Sequence, residues 1–384
     1  MRGALFLCVS VGILGCSSDD TTAAAGPDGG ASSSSTSSSG GGGGAPATPI
    51  DTTVTPGALP PPGNPDGKCV EPAAALEDVS NPRTVIGDGT PASCTADAFV
   101  AAVAKGGVIT FDCGPEPVKI TLTQPAKIYN DTGPKIVIDG GNKVTLSGGG
   151  TTRILYMNVC DKDLVWLPGP ICNDQDLPIL TLQNLVFTEG DTRSMPEGEK
   201  AGGGAVWIRG GLVRILKSRF VNNRCADLGP DLGGGAVRVL NHRAGGSVSK
   251  PVYIEGSTFE NNVCANGGAL SSIGTSYTIL NSVFTGNEAI GTGANSGQGG
   301  NGGAIYNDGN TFDLNVCGTK IEGNKANEGG SAIFFVSNDQ TGSLFIKDSF
   351  FKNNPKGKFQ TAGFPGMFIK AKGTPTVTNS TIEQ

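Results

Sequence analysis

The chain has 384 residues, of which 61 are glycine, with 28 basic against 34 acidic side chains and one histidine. A net charge of −6 with no basic stripe argues against a nucleic-acid partner. A single histidine excludes a histidine metal cluster and argues against Ser-His-Asp catalysis.

Met1-Arg2 is a minimal charged start, and Gly3 to Leu14 is an apolar stretch too short to span a bilayer. Ile13-Leu14-Gly15-Cys16 follows and resembles the bacterial lipobox. The resemblance implies a signal peptide over residues 1–15, lipidation at Cys16, and, with Ser17 next, sorting to the outer membrane or cell surface. Residues 16–68 read as a tether, because the Ser/Gly run through Gly44 and the Pro-rich stretch to Gly67 carry too little apolar content to order a coil. A coil of about 50 residues reaches on the order of 40 Å. Residues 69–384 read as one folded domain.

Thr95 to Lys105 predicts a short amphipathic helix, with Ser93 or Thr95 as N-cap and Gly106-Gly107 ending it. Such a helix would cap the open end of a sheet stack. Val108-Ile109-Thr110-Phe111 reads as the first strand. Four further strand-like segments between residues 118 and 157 read as early coils.

From there one code repeats. Gly-Gly-Ala plus an aliphatic residue begins at Gly203, Gly234, Gly267 and Gly302, with Gly330-Ser331-Ala332-Ile333 as a degenerate fifth copy. Phe187, Phe220, Phe259, Phe284, Ile321, Phe351 and Ile382 align as anchors. Leu182, Ile215, Ile254, Ile279, Val316, Ile346 and Val377 stand five residues before them. Alternating, β-branched residues predict one strand per repeat, and a unit too short to bury its own face must stack on its neighbours. Asn223, Asn262, Asn287, Asn324 and Asn354, three after their anchors, predict a turn with an asparagine ladder. The fold class expected is all-β: a right-handed parallel β-helix with a short N-terminal capping helix.

These motifs resemble the polymorphic outer-membrane-protein repeats, GGA[ILV] and FxxN, on a pectin-lyase-like β-helix. The resemblance covers about residues 178–384 by motif and 107–157 by strand pattern. It implies a surface or adhesin-type protein. No barrel-forming segment is read before Gln384, so self-secretion in the autotransporter manner is not expected.

Ten cysteines fit an oxidising compartment. Cys225 and Cys264 each fall five after an anchor, so they should stack on adjacent coils and pair. Cys94 and Cys113 bracket the helix and first strand, and Cys160 and Cys172 bracket an irregular loop. Cys69 and Cys317 are left without an assigned partner.

Two clusters stand out chemically. Asp191 and Arg224 lie four after their anchors and should face each other across coils, with Asp227, Asp231 and Arg238 close in sequence. They are the candidate catalytic set of a polysaccharide lyase or glycoside hydrolase, the only reading under which a calcium ion is expected. The NTD, GHG and RIK motifs of such β-helix enzymes do not occur. The second cluster is the residue after each aliphatic position: Trp207, Arg238, Ser271, Tyr306 and Phe334. It should point outward as an aromatic ladder suited to stacking sugar rings. His242 reads as an exposed loop residue. The functional expectation is a displayed, lipid-anchored β-helix that binds a glycan or cell-surface partner without cofactor or turnover, with an enzyme or a structural spacer as alternatives.

Overall fold

The computed structural model describes residues 61–165, 172, 174–196, 201–241 and 250–384, all within one compact unit, Thr53–Gln384. The signal segment, Cys16 and His242 lie outside the described residues. The strands stack in parallel sheets of 17, 8 and 3 strands, the walls of an all-β parallel β-helix. The anchors stack in register: Phe187 on Phe220, Phe220 on Phe259, Phe259 on Phe284, Phe284 on Ile321, Ile321 on Phe351 and Phe351 on Ile382. Neighbouring rings of the first four are stacked 4.6–4.9 Å apart and nearly parallel, at 3–5°, and every anchor but Ile382 is fully buried.

The repeat is not one continuous strand. An anchor and the aliphatic residue five before it are an odd number apart, so an unbroken strand would put them on opposite faces. The chain resolves this three residues before the anchor. There Asn184, Lys217, Asn281, Asp348 and Asn379 hold φ of 47–55°, and Gly256 and Gly318 hold 55° and 60°. Two short arms, such as Leu212–Leu216 and Arg219–Val221, meet at this left-handed residue. The hydroxyl that follows it closes the bend. Ser218 N donates to Ser257 Oγ, Ser257 N to Ser282 Oγ, Ser282 N to Thr319 Oγ1 and Thr319 N to Ser349 Oγ, at 3.1–3.3 Å.

The asparagine ladder forms as expected. Asn223 Nδ2 donates to Asn262 Oδ1, Asn262 to Asn287, Asn287 to Asn324 and Asn324 to Asn354, at 2.9–3.1 Å. Each Nδ2 also donates to the carbonyl of the anchor one coil back, as Asn262 does to Phe220 O at 3.0 Å. Gly-Gly-Ala leads into four strands of the 8-stranded wall, at Val206, Val237, Leu270 and Ile305, and Gly-Ser-Ala into a fifth at Ile333. The second glycine leaves room for the next coil: a Cβ on Gly235 would meet the carbonyl oxygen of Gly268.

Helix α1 (Ala96–Lys105) packs Phe99, Ala102 and Val103 into the core, with Thr95 Oγ1 accepting from Ala98 N and Gly106 ending it at φ 65°. The coil stack begins one strand earlier than expected, because Thr84–Ile86 pairs in parallel with Ile109–Phe111.

Residues 63–83 form a strap down the outside of the 17-stranded wall. Asn64 Nδ2 donates to Gly318 O at 2.8 Å, and Asn281 Nδ2 to Cys69 O at 2.8 Å. Ala74 sits on Leu216 and Leu280. Glu77 exchanges backbone bonds with the Gln183 amide and pairs with Arg214 and Lys135. Arg83 N donates to Val108 O on the first coils. Gly63 to Lys68, within the segment read as tether, thus carry part of this strap. Cys69 and Cys317 pair, with Cα atoms 6.0 Å apart. The other three pairs are Cys94–Cys113, Cys160–Cys172 and Cys225–Cys264, the last at 4.8 Å between Cα atoms on adjacent coils.

Candidate functional site

The outward column of the 8-stranded wall forms in the expected register: Trp207 beside Arg238, Arg238 beside Ser271, Ser271 beside Tyr306 and Tyr306 beside Phe334. It runs one rung further at each end, to Tyr156 and Phe368. Tyr156 stacks on Trp207 at 5.0 Å, Tyr306 on Phe334 at 5.0 Å and Phe334 on Phe368 at 5.2 Å.

The column is not an open surface. Trp207 is 6 % exposed, Arg238 5 %, Tyr306 1 % and Phe334 3 %. The expectation that its rings face solvent to stack sugars is therefore corrected. The cause lies in the turns. The first glycine of each Gly-Gly-Ala has a positive φ, 61° at Gly203 and 69° at Gly330, and folds the backbone against the column, so a Cβ on Gly203 would touch Trp207 and one on Gly330 would touch Phe334. Phe359 adds an edge-on contact to Phe368 at 4.9 Å. These rings form a second apolar spine outside the wall.

Burial perturbs the polar groups of this spine. Desolvation pulls the Arg238 guanidinium down from its ordinary value to about 10, against the favourable charge of Asp231. Desolvation, with Asp308 close by, pushes the Tyr306 hydroxyl well above the ordinary tyrosine range, and that hydroxyl donates to Asp308 Oδ2 at 2.9 Å. Asp231 is thus brought toward Arg238 and Tyr306.

The other charged candidates go elsewhere. Asp191 and Arg224 are register neighbours, as their spacing implies, yet each takes a local partner. Asp191 holds Arg193 at 2.6 Å, and Arg224 holds Asp227 at 3.0 Å. Asp227 also acts electrostatically on Arg193. The result is a chain of alternating charges in which both carboxylates face guanidinium groups. Arg193 was not singled out from the sequence, although its place two residues after Asp191 was the available signal. Tyr156 could also have been found, since Ile154-Leu155-Tyr156 aligns with Ala205-Val206-Trp207.

Among the described residues two aromatic side chains stand open, Tyr129 at 37 % and Phe345 at 40 %. Phe345 lies on the outward face of the 17-stranded wall beyond the strap, with Asn315 and Thr376 as register neighbours. It borders a hollow of about 180 Å³ lined also by Ser343, Lys372 and Thr374. Among the described residues the closest grouping of metal-type ligands is Cys69, Cys317 and Asp348, and its two sulfurs are joined in the disulfide. No helix among the described residues is long and apolar enough to cross a membrane. No family model, curated protein or solved structure matches this chain.

Proposed function

We propose that this chain is a lipid-anchored, surface-displayed β-helix that binds a glycan without turning it over. The observation that carries the reading is the Phe345 hollow: one open aromatic face ringed by hydroxyls and a lysine, about the size of a single sugar ring. Aromatic faces suit the apolar side of a pyranose, and short hydroxyls and amides suit its rim. The pairing of Asp191 with Arg193 and of Arg224 with Asp227 supports binding over turnover, since those carboxylates already hold a counter-charge. Display rests on the Cys16 motif and the Gly/Ser/Pro tether.

A glycan array probed with wild type and Phe345→Ala tests the reading. Loss of the ring should weaken binding roughly 2–10-fold, the equivalent of one aromatic contact. Unsaturated or reducing ends released from the bound polysaccharide would overturn it in favour of an enzyme. Binding by neither protein would leave a spacer. Cys16→Ser should move the protein from the membrane to the soluble fraction, because the acyl chains supply the membrane affinity; unchanged fractionation would sink the anchor.

A further inference from the structure

Arg153, Arg219 and Arg238 are all buried, at 2 %, 6 % and 5 % exposure. Two have proper partners. Arg153 donates to the carbonyl oxygens of Gly203 and Gly202 at 3.0 and 2.8 Å. Arg219 faces Glu260 at 3.6 Å. Among the described residues Arg238 makes one side-chain hydrogen bond, Nη1 to Ser271 Oγ at 3.5 Å, at the limit of such a bond. Among the described residues no carboxylate forms an ion pair with it. Asp231 reaches it only as a distant charge.

A second donor is orphaned on the adjacent rung. Among the described residues Trp207 Nε1 and Arg238 Nε, both buried, have no hydrogen-bond partner, and the two residues are direct register neighbours. The rung on the other side is Ser271, a small hydroxyl where the spine elsewhere carries rings. Burying an ion without a counter-charge is costly, and buried N–H groups without acceptors add to the cost.

We infer that the Trp207–Arg238–Ser271 rungs form an oxyanion-binding site, taking a sulfate or carboxylate group that is either free or carried on an acidic sugar. The planar guanidinium fork matches two oxygens of such a group, and the indole N–H and the serine hydroxyl supply further donors. A halide would engage only one direction of the fork. The site is separate from the Phe345 hollow and stands whether or not that hollow binds glycan. Asp231 belongs to the irregular segment 226–232 that precedes the Arg238 strand, where Leu228 is 54 % exposed, and its charge opposes an incoming anion.

The test uses the intact folded chain dialysed into a zwitterionic buffer and titrated calorimetrically with sodium sulfate, sodium galacturonate and a galacturonate tetramer. Galactose, and sodium chloride at matched ionic strength, are the controls. Wild type should bind sulfate and galacturonate saturably and melt at a higher temperature with either, but not with the controls. Arg238→Met should lose at least tenfold in affinity. Trp207→Phe keeps the ring and removes the N–H, so it should lose several-fold; it carries the test if Arg238→Met does not fold. Asp231→Asn should bind the anions more tightly. Lys325→Ala, at an exposed position outside both sites, should leave all of this unchanged. Tighter binding of the tetramer than of the monomer identifies a glycan source, and equal binding identifies a free ion. The inference is overturned if neither anion acts beyond the chloride control, if Arg238→Met binds as wild type does, or if Asp231→Asn lowers the melting temperature without anion binding in wild type, which would make Asp231 the true partner.

Discussion

Replacing Asn262 by alanine should cost as much as replacing the anchor Phe259, although one side chain is polar and the other is not. Phe259 is fully buried between Phe220 at 4.9 Å and Phe284 at 4.7 Å. Phe259→Ala leaves a cavity and should cost about 3–5 kcal/mol. Asn262 makes four side-chain bonds in the same layer. Its Oδ1 accepts from Asn223 N and Nδ2, and its Nδ2 donates to Phe220 O and Asn287 Oδ1, all at 2.9–3.0 Å. Three of those partners keep another bond or share a carbonyl, so each loss should cost roughly 0.5–1.5 kcal/mol. Asn223 N is left unpaired in the core, which adds about 1–3 kcal/mol. The sum for Asn262→Ala is about 2.5–7.5 kcal/mol, a range that spans the one for Phe259→Ala. Guanidinium denaturation followed by circular dichroism measures both variants, with the exposed Lys325→Ala expected within about 0.5 kcal/mol of wild type. If Phe259→Ala loses stability as stated and Asn262→Ala loses less than about 1 kcal/mol, water must replace the amide, and the ladder is not a structural element of the core.

Two further outcomes follow from the packing. Trp207→Ala should lower stability by about 3–5 kcal/mol, because the ring is buried against Tyr156 rather than open to solvent; an unchanged melting profile would return the column to the surface. Cys317→Ser removes the crosslink that holds Cys69, a sequence separation of 248, and should destabilise by about 2–5 kcal/mol. Limited proteolysis should then cut near Lys68 before any cut in the coils, and equal resistance in mutant and wild type would mean that the strap holds without its staple.

Much of the coil architecture was legible because each rung repeats a small set of residue types at one spacing. The anchors, the asparagine ladder, the outward column and the Cys225–Cys264 pair all follow from counting along the chain. The parity conflict was equally countable, since positions five apart cannot share a face of one strand, yet the regular aliphatic spacing concealed it. Only the serine before each anchor and the frequent Asn, Asp or Gly ahead of that serine signalled the left-handed bend. What spacing could not give was cover. Whether Trp207 and Tyr306 face solvent depends on what packs over the wall, and the spacing along the strands does not specify that. The strap was invisible for a related reason. Its residues, such as Asn64, Cys69 and Glu77, carry no periodicity and are specified only by partners far along the chain.

The strap also changes how the coil stack should unfold. In a solenoid each coil touches only its neighbours, so stability is a sum of local steps and unravelling proceeds from an end. Here one segment contacts Val108, Gln183, Arg214, Leu216, Asn281 and Gly318 in turn, and its disulfide fixes the far end at Cys317. Opening any coil between the first and that of Cys317 must break contacts to the strap as well as to the adjacent coils. Those coils are thereby coupled into one cooperative unit. Among the described residues, the coils after that of Cys317, which carry Phe345, share no hydrogen bond or ion pair with the strap, only the approach of the Asp348 carboxylate to the Cys69 sulfur within 4.8 Å, and keep the nearest-neighbour behaviour of a plain solenoid. Amide exchange should accordingly show one uniform opening energy for the strapped coils and a lower, graded one from Ile346 toward Ile382. The candidate glycan hollow would then sit on the part of the rod that is freest to adjust, while the buried Arg238 column sits on the part that is held most rigidly.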